Sequence, residues 1–499
     1  MTRTNSAYSA LETRFARWTH LNGAMAMLGW DREVMMPEGG NDGRSEQMAT
    51  LAVIAHETLT DPALEDLIGA AEGESLGDWQ KANLAEMRRQ RIHATAVPAD
   101  LVAAFARATA KCQMAWRRAK PENDFKSLLP SLQEVLNLTI ETAKAKAPAL
   151  GVSPYDALLD QYEPGGRSER IDALFADLAE FLPGFLAEAL EAQARRPQPL
   201  PLAGPFEVPA QKAVGEALMR AVGFDFNHGR LDISLHPFCG GVPDDIRLTT
   251  RYDTADFTRS LMGVLHETGH AMYERGLPAE WRSQPVGLAR GMALHESQSL
   301  LIEMQASRSR EVIGYMAPLL REAFLADGPA WEAENLYRVY TTVKPDFIRV
   351  DADEVTYPSH VILRYRLERA MVDGQLALAD LPGAWNDGMK SLLGIVPPTD
   401  TLGCMQDIHW MDGGWGYFPT YTMGALAAAQ LFDAANRADP SIRPGLARGD
   451  FAPLMAWLRA NVHSKASSAT TDEILTAATG RPLGTEVFKA HLRRRYLEG

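Results

Sequence analysis

Apolar residues recur at three- and four-residue intervals through much of this sequence, and this spacing constrains the fold more than any other feature. Charged residues lie between them, a pattern that gathers the apolar side chains on one face of a helix. With 46% hydrophobic and 23% charged residues over 499 positions, the chain can fold around a large buried core. We predict a mainly α fold, with its clearest helical segments at 9–29, 78–94, 128–147, 168–194 and 425–437.

A proline-rich passage interrupts this helical pattern. Residues 195–209 read RRPQPLPLAGPFEVP, and proline neither donates a backbone hydrogen bond nor fits the interior of a helix. The passage is short enough to be a connection. We expect one unit over 1–499, in which an amino-terminal helical half, 1–196, joins a second half, 210–499, that carries the strands and a metal site.

The clearest strand signal follows this passage. RLDISLH at 230–236 precedes a turn with Gly and Pro, and then comes DIRLTTRYD at 245–253. Polar and apolar residues alternate in the second segment, so Ile246 and Leu248 face one side and Arg247 and Thr249 face the other. We predict a small antiparallel hairpin with one polar face.

Charge and cysteine content narrow the range of partners and cofactors. Fifty Lys and Arg against 64 Asp and Glu give a net charge of −14, which argues against nucleic acid as a partner. No stretch reaches the ~18 apolar residues of a membrane span, and the amino terminus lacks the apolar run of a secretory signal, so we expect a cytoplasmic protein with no membrane partner. Because Cys112, Cys239 and Cys404 are far apart, any metal must be held by His and carboxylate.

Two histidines four residues apart predict a metal site. They are His266 and His270 in the sequence HETGH, within a proline-free stretch, 257–275, that ends at Gly276. On a helix they lie one turn apart on the same face, where both imidazoles can reach one ion. The alternative is a pair of unrelated histidines on a helix.

The next helical stretch favours the metal site. It reads MALHESQSLLIEMQ at 292–305 and offers Glu296 as a third ligand. Two His and one carboxylate leave the fourth tetrahedral position open, the layout of a catalytic zinc. Glu267 follows His266 at about 100° round the helix and is the candidate general base for a metal-activated water. We expect Zn²⁺, with Co²⁺ or Mn²⁺ as substitutes.

Several other motifs, together with HETGH, resemble those of the carboxypeptidase Taq family of metallocarboxypeptidases. They are HPF at 236–238, DIRLT at 245–249, HESQ at 295–298, IRVDAD at 348–353 and GCMQDIHW at 403–410, with LGWDREVMMPEGG, PYDALLDQYEPG and GYFPTYTMGA as further family-like segments. The resemblance implies a helical zinc-peptidase fold with a deep substrate cleft and a small antiparallel β-sheet beside the active site. It also implies a homodimer, peptide substrates, and release of single residues from carboxyl termini with broad specificity. Ala425 departs from the family pattern, which has Asn after the glycine.

A carboxypeptidase needs a cation that holds the terminal carboxylate of the peptide. Arg349, within IRVDAD, is the candidate that matches the family, and an ion pair with Asp351 or Asp353 is the structural alternative. Arg247 is the second candidate, for substrate contact or closure of the cleft. Its alternative is a surface pair with Asp245.

The resemblance also suggests groups that stabilise the tetrahedral intermediate. Tyr421 is the first candidate, followed by His409 and Tyr417, because related helical zinc peptidases carry a His followed by tyrosines in this part of the chain. The alternative for each tyrosine is simple packing with a satisfied hydroxyl. We expect His236 to shape the hairpin and the cleft, since three metal ligands are already assigned.

We consider secondary roles in the site for four more residues near these candidates. Trp410 and Trp415 could form walls of the site, although packing in the core explains each of them better. His295 and Glu303 are candidates for hydrogen bonds behind the metal ligands.

Three other functions stay open from the sequence. An aminopeptidase would share the metal ligands but needs a carboxylate cluster for the substrate amine, and no GxMEN-like segment precedes HETGH. An endopeptidase, oligopeptidase or dipeptidase of the same helical superfamily would work without a carboxylate clamp. A helical scaffold with a vestigial site would not need Glu267.

Overall fold

The computed structural model describes residues 6–498, and 69% of it is helical, which confirms the predicted mainly α fold. Before the strands lie α1 (Ala7–Val34), α2 (Asn41–Thr60), α3 (Ala63–Glu72), α4 (Asp78–Thr95), α5 (Ala99–Glu122), α6 (Phe125–Leu150), α7 (Pro154–Leu159), α8 (Ser168–Ala194) and α9 (Val208–Val222). After the strands lie α10 (Phe257–Gly276), α11 (Gly291–Leu300), α12 (Arg310–Ala323), α13 (Ala333–Tyr340), α14 (Tyr357–Val372), α15 (Leu381–Leu393), α16 (Pro419–Ala438), α17 (Ile442–Leu446), α18 (Ala452–Asn461), α19 (Thr471–Thr479) and α20 (Glu486–Arg493). Across residues 6–498 no helix is both long enough and apolar enough to cross a bilayer.

The three strands form one small sheet whose topology differs from the predicted hairpin. They are β1 (Gly229–Ile233), β2 (Cys239–Val242) and β3 (Asp245–Thr250), in the order β1-β3-β2. β2 and β3 are antiparallel, but β1, which was predicted to pair antiparallel with β3, lies parallel to it. The sequence of β2, CGGV, has no apolar alternation, so this strand was mistaken for part of the turn.

The predicted polar face of β3 is only partly correct. Ile246 is buried and Arg247 is partly exposed, as the alternation predicts. Thr249 was placed on the polar face, yet it is 0% exposed. Its hydroxyl accepts a hydrogen bond from the backbone N–H of Phe238 at 3.0 Å and lies 2.7 Å from the Ser234 hydroxyl. These bonds hold the segment that crosses from β1 to β2.

Two large hydrophobic cores meet at α11 and α16. One core joins α5, α6 and α8 to α14, α15 and α20, and the other surrounds α9, α10 and the sheet. Ala293 of α11 belongs to the first core and Leu294 to the second, while Ala425 of α16 packs against both. The proline-rich passage is non-helical up to α9, as predicted, and the division into two halves stays a prediction.

Candidate metal centre and substrate clamp

Helix α10 carries both histidines of the HETGH sequence. It begins after Asp256, whose carboxylate accepts a hydrogen bond from the backbone N–H of Thr258 and so caps the helix. The helix continues without a break through His266 and His270, and the centroids of their rings are 4.9 Å apart. Both rings therefore lie on one face, as the spacing predicts.

Gly269 allows α11 to approach α10 closely. A Cβ atom at this position would overlap the backbone of Gln298, so the packing of these helices requires glycine. Glu296 is thereby placed with its Oε2 atom 3.4 Å from Nε2 of His270 and 3.9 Å from Nε2 of His266. One ligand atom from each of the three residues lies within 4.8 Å of the others. The structure brings the three predicted metal ligands together.

The Nδ1 atom of each ligand histidine has a hydrogen-bond partner on the side of the ring away from the third ligand. Nδ1 of His266 lies 2.9 Å from Oε2 of Glu303. Nδ1 of His270 lies 2.7 Å from Nδ1 of His295, whose Nε2 lies 2.9 Å from Oε1 of Glu274. Both Nε2 atoms are left to face the third ligand, the arrangement expected around a metal-binding histidine. The expected contacts of His295 and Glu303 are present, whereas Glu274 was missed.

The electrostatics of this group suit a divalent cation. Burial lowers the pKa of His270 to about 4, which leaves a neutral imidazole with a lone pair for a metal. Burial would also lower the pKa of His266, but Glu296, Glu303 and Glu267 outweigh it and raise this pKa to about 10. The surroundings thus favour positive charge, and the donor set of two imidazoles and one carboxylate fits a zinc-like ion.

Glu267 lies between the two ligand histidines on α10 and is 7% exposed. Burial raises the pKa of its carboxyl to about 7. On the neighbouring strand β2, burial and then the charge of Glu267 raise the pKa of the Cys239 thiol. The strand that the sequence did not reveal therefore lies next to the candidate base.

Arg349 is buried, at 5% exposed, and it is held by a different carboxylate from those considered in the sequence. Its Nε and Nη2 atoms donate to Oδ1 of Asp407 at 3.2 and 2.8 Å, and Nη1 donates to the Tyr357 hydroxyl at 3.1 Å. Asp351 and Asp353 have other partners, so the alternative of an ion pair with either of them is wrong. Arg349 is tied into the site itself.

This arginine contacts two tyrosines, and a third tyrosine and a histidine lie against one of them. The Arg349 guanidinium lies 4.9 Å from the ring centroid of Tyr421, which is 5.2 Å from that of Tyr417 and 6.2 Å from that of Tyr357. Nε2 of His409 lies 3.2 Å from the Tyr421 hydroxyl. The three candidates for stabilising the intermediate thus form one cluster with the candidate clamp.

This cluster adjoins the metal ligands through α16. A Cβ atom at Gly424, one turn after Tyr421, would be 2.7 Å from Cβ of Glu296, so α16 lies directly against α11 here. Burial raises the pKa of Tyr421 to about 12, and the nearby Glu296 carboxylate adds to the rise. The tyrosine cluster and the metal ligands therefore belong to one site.

The surroundings of Arg349 carry more positive charge than their carboxylate balances. Nε of Arg364 donates to Oδ2 of Asp407 at 2.6 Å, so two guanidinium groups share one carboxylate. Burial lowers the pKa of Arg364 to about 10, that of His409 to about 4 and that of His360 to about 3. Near neutral pH both arginines are charged and both histidines are neutral, so these four groups and Asp407 together carry one excess positive charge.

Arg247 and His236 make other contacts. Arg247 donates to Asp245 at 3.0 and 2.7 Å, the surface pair considered from the sequence, and its guanidinium lies 4.3 Å from the ring centroid of Trp30. The His236 side chain is exposed. Among residues 6–498, no described hydrogen bond or ion pair joins either side chain to the metal ligands. Their roles in substrate binding stay predictions.

Trp410 and Trp415 pack in the core beside the site. Their rings stack with centroids 5.5 Å apart, and both residues are buried. Trp410 donates to Glu368 at 3.0 Å and Trp415 donates to the backbone carbonyl of Trp410 at 3.1 Å. Core packing accounts for both residues, as expected.

Four residues of the site were missed by sequence reasoning, although each leaves a signal. Asp407 lies within the motif GCMQDIHW that was already singled out. Tyr357 and Arg364 are seven residues apart on α14 and so share one face of that helix. Glu274 follows His270 by four residues on the same face of α10.

The chain is similar to known proteins over nearly its whole length. The family model described as carboxypeptidase Taq (M32) metallopeptidase matches residues 10–496. Thermostable carboxypeptidase 1 of Thermus thermophilus is 38% identical over 94% of both chains, and carboxypeptidase 1 of Bacillus subtilis is 32% identical over 96% of both. The solved structure of Trypanosoma cruzi metallocarboxypeptidase 1 is 41% identical and covers 98% of this chain and 99% of its own, with a TM-score of 0.96. Family profile, sequence and fold all agree with the motif resemblance, and the chain belongs to the carboxypeptidase Taq (M32) family of metallopeptidases, a family of peptide hydrolases.

Proposed function

We propose that this protein is a zinc-dependent carboxypeptidase that releases single residues, with broad side-chain tolerance, from the carboxyl ends of peptides. The observation that carries the proposal is the Arg349 guanidinium, which lies in the tyrosine cluster next to the metal ligands. An enzyme that cleaves within a chain does not need a cation there, whereas one that chooses the last residue does.

The metal ion would be held by His266, His270 and Glu296, with Zn²⁺ as the expected ion and Co²⁺ or Mn²⁺ as substitutes. When bound, the ion would supply Lewis acidity and lower the pKa of water. Glu303 and His295 would fix the orientation of the two imidazoles through their Nδ1 atoms.

Glu267 would act as the general base. It lies on the same helix as two of the ligands but is not a member of the ligand group. Its carboxylate can accept a proton from the attacking water and deliver it to the nitrogen of the leaving amino acid.

Tyr421 would donate a hydrogen bond to the oxygen of the scissile carbonyl as negative charge develops there. Because burial raises the pKa of this residue to about 12, its hydroxyl stays protonated at neutral pH. His409 lies 3.2 Å from this hydroxyl and Tyr417 packs against the same ring, so both would orient it.

Arg349 would bind the terminal carboxylate of the substrate. A guanidinium has five N–H donors, and the contacts with Asp407 and Tyr357 use three of them. Since Arg364 shares Asp407, one positive charge is left without a partner carboxylate. The carboxylate of a peptide would supply the missing negative charge, in a contact worth about 1.5–3 kcal/mol.

The proposal is tested with three forms of one peptide: both ends free, the carboxyl end amidated, and the amino end acylated. We expect the free and the acylated peptides to lose single residues from the carboxyl end. Cleavage of the amide should fall roughly 10- to 150-fold, the equivalent of losing 1.5–3 kcal/mol. Equal cleavage of the acid and the amide contradicts the proposal.

The same peptides separate the alternative functions. An endopeptidase or oligopeptidase would cut the amide at an internal bond, an aminopeptidase would fail on the acylated peptide, and a scaffold would cut none. A dipeptidase would act on none of these longer peptides but would cleave dipeptides. The homodimer, the cytoplasmic location and the absence of nucleic-acid and membrane partners stay predictions.

A further inference from the structure

The helix that carries Glu296 does not end as an α-helix. After Leu300 it continues as a π-helical segment, Leu301–Ser307. Such segments are rare and are frequent at functional sites. This one carries Glu303, the carboxylate that contacts Nδ1 of His266 at 2.9 Å. The position of the π-helical segment therefore sets the position of the group behind one metal ligand.

The end of this segment is held by a residue of a second π-helical segment, Arg494–Glu498. The last carbonyls of a helix have no partner within it, and arginine side chains can satisfy them. Arg495 donates from Nη1 to the carbonyl oxygen of Met304 at 2.6 Å and from Nη2 to that of Gln305 at 3.3 Å. These two residues directly follow Glu303.

Arg495 is itself fixed in place. It is 8% exposed, and its Nη1 atom donates to Oε2 of Glu354 at 2.8 Å. Glu354 also accepts from the Tyr496 hydroxyl at 3.0 Å and from the Gln305 side chain at 3.0 Å, and its Oε1 lies 2.8 Å from Nε2 of His491. The carboxylate is thus surrounded by donors and holds Arg495 against the π-helical segment.

We propose that Arg495 is a positioning residue for the metal centre: by holding the end of the π-helical segment, it keeps Glu303 in line with Nδ1 of His266. This inference rests on the metal ligands of the proposed function. It assigns a role in metal binding to a buried arginine that contacts neither the ligands nor the substrate residues described above. Arg308, which donates to Oε1 of Glu303 at 2.6 Å, supports the same carboxylate from the other side.

The expected loss of metal affinity on removal of Arg495 depends on how much Glu303 contributes to metal binding. Loss of a partner behind a metal ligand typically weakens metal binding about 10- to 100-fold. Because Arg495 acts through Glu303, its removal should cost less than removal of the carboxylate itself, about tenfold in the dissociation constant.

The experiment compares full-length Arg495→Met with Arg494→Met, a matched control whose side chain is exposed in the same turn. The apo proteins are titrated with Zn²⁺ alone against a competing chelator. We expect binding about tenfold weaker in Arg495→Met and unchanged in Arg494→Met. Equal affinity in the two variants overturns the proposal. If the wild type itself binds no Zn²⁺, the proposed metal centre is wrong, so the two failures are distinguishable.

A double-mutant comparison separates positioning from general loosening of the structure. In a Glu303→Gln background, Arg495→Met should cause little further loss of Zn²⁺ affinity, because both changes act on the same contact. Losses that add fully would show that Arg495 acts elsewhere and would overturn the proposal.

A conservative variant keeps the test decisive if Arg495→Met does not fold. Arg495→Lys keeps the charge and one donor group but cannot reach both carbonyls in the same way. If its far-ultraviolet circular dichroism is unchanged, its Zn²⁺ affinity should lie between that of the wild type and that of Arg495→Met. If Arg495→Met does not fold, Glu303→Gln provides the lower limit instead. The proposal is overturned if a crystal structure of Arg495→Lys shows that the contacts to both carbonyls are lost and the folded variant still binds Zn²⁺ with wild-type affinity.

Discussion

The two sides of the site are built in different ways. The metal side, on two successive helices, comprises His266, Glu267, His270 and Glu296. The clamp side, on a short helical turn, two longer helices and a loop, comprises Arg349, Tyr357, Arg364, Asp407 and Tyr421. One side is therefore local in the sequence, and the other is assembled only when distant segments pack together.

The two sides also differ in charge. On the metal side, carboxylates and a neutral imidazole create surroundings that favour a cation. On the clamp side, two guanidinium groups share one carboxylate, which favours an anion. In the proposed function, the first side holds the metal and the general base, and the second side binds the peptide end and contributes Tyr421 to the chemical step. Substitutions on each side should then change different kinetic quantities.

The largest effect is expected from Glu267→Gln on the metal side. Loss of a general base typically lowers kcat about 10²- to 10⁴-fold. No metal ligand is removed, so metal content should stay at the wild-type level, and the preference for the free acid over the amide should persist. Steady-state kinetics and elemental analysis of the same preparation measure all three quantities. A metal-loaded variant with full activity would remove Glu267 from the mechanism.

The metal side was predictable because its geometry is helical. Four residues make one turn, so His266 and His270 had to share a face, and Glu296 came from the next helical stretch. Asp407 was not predicted because it is 58 residues from its partner Arg349, and their pairing requires the short helical turn at Arg349 to pack against the loop that carries Asp407.

The fold shows the same difference between features set by local sequence and features set by the packing of distant segments. Helix α8 has the predicted bounds, Ser168–Ala194, because apolar spacing is a local signal. The parallel pairing of β1 with β3 was not predicted, since pairing depends on where the intervening chain crosses. The strand between them in the sequence, β2, contains two adjacent glycines and carries no strand signal.

The second effect tests the clamp side through Arg349→Lys. A point charge cannot reproduce the planar fork that binds a carboxylate through two donors. We expect kcat/KM for the free-acid peptide to fall roughly 10- to 150-fold, with a much smaller change for the amide. Arg259→Lys is the control, because Arg259 is an exposed arginine paired with Asp351. An unchanged ratio of acid to amide cleavage would transfer the clamp role to another residue, with Arg247 the next to test.

The third-largest effect concerns Glu303 and Glu274, the carboxylates that support the two ligand histidines. The Glu303 side chain behind His266 is 11% exposed, whereas Glu274, which supports His270 through His295, is 28% exposed. A more exposed charge is better screened by water, so its support should be weaker. Glu303→Gln should weaken metal binding about 10- to 100-fold, and Glu274→Gln should lie at or below the lower end of this range. Chelator competition measures both, and an equal or larger loss in Glu274→Gln would contradict the ranking.

The smallest effect should come from Arg364→Met, which removes the excess charge without touching the direct clamp. Arg349 and Asp407 would then form a balanced pair, so no unpaired buried charge is created and the fold should survive. The substrate carboxylate would lose a nearby positive charge but keep its direct contact, so KM for the free acid should rise by less than about tenfold with kcat little changed.

Arg366→Met is the control for this variant, since Arg366 is exposed two residues away on α14. Kinetics on the acid and amide peptides decide the outcome: a fall in kcat with constant KM would place Arg364 in the chemical step, and no change at all would mean that its charge does not reach the bound peptide end.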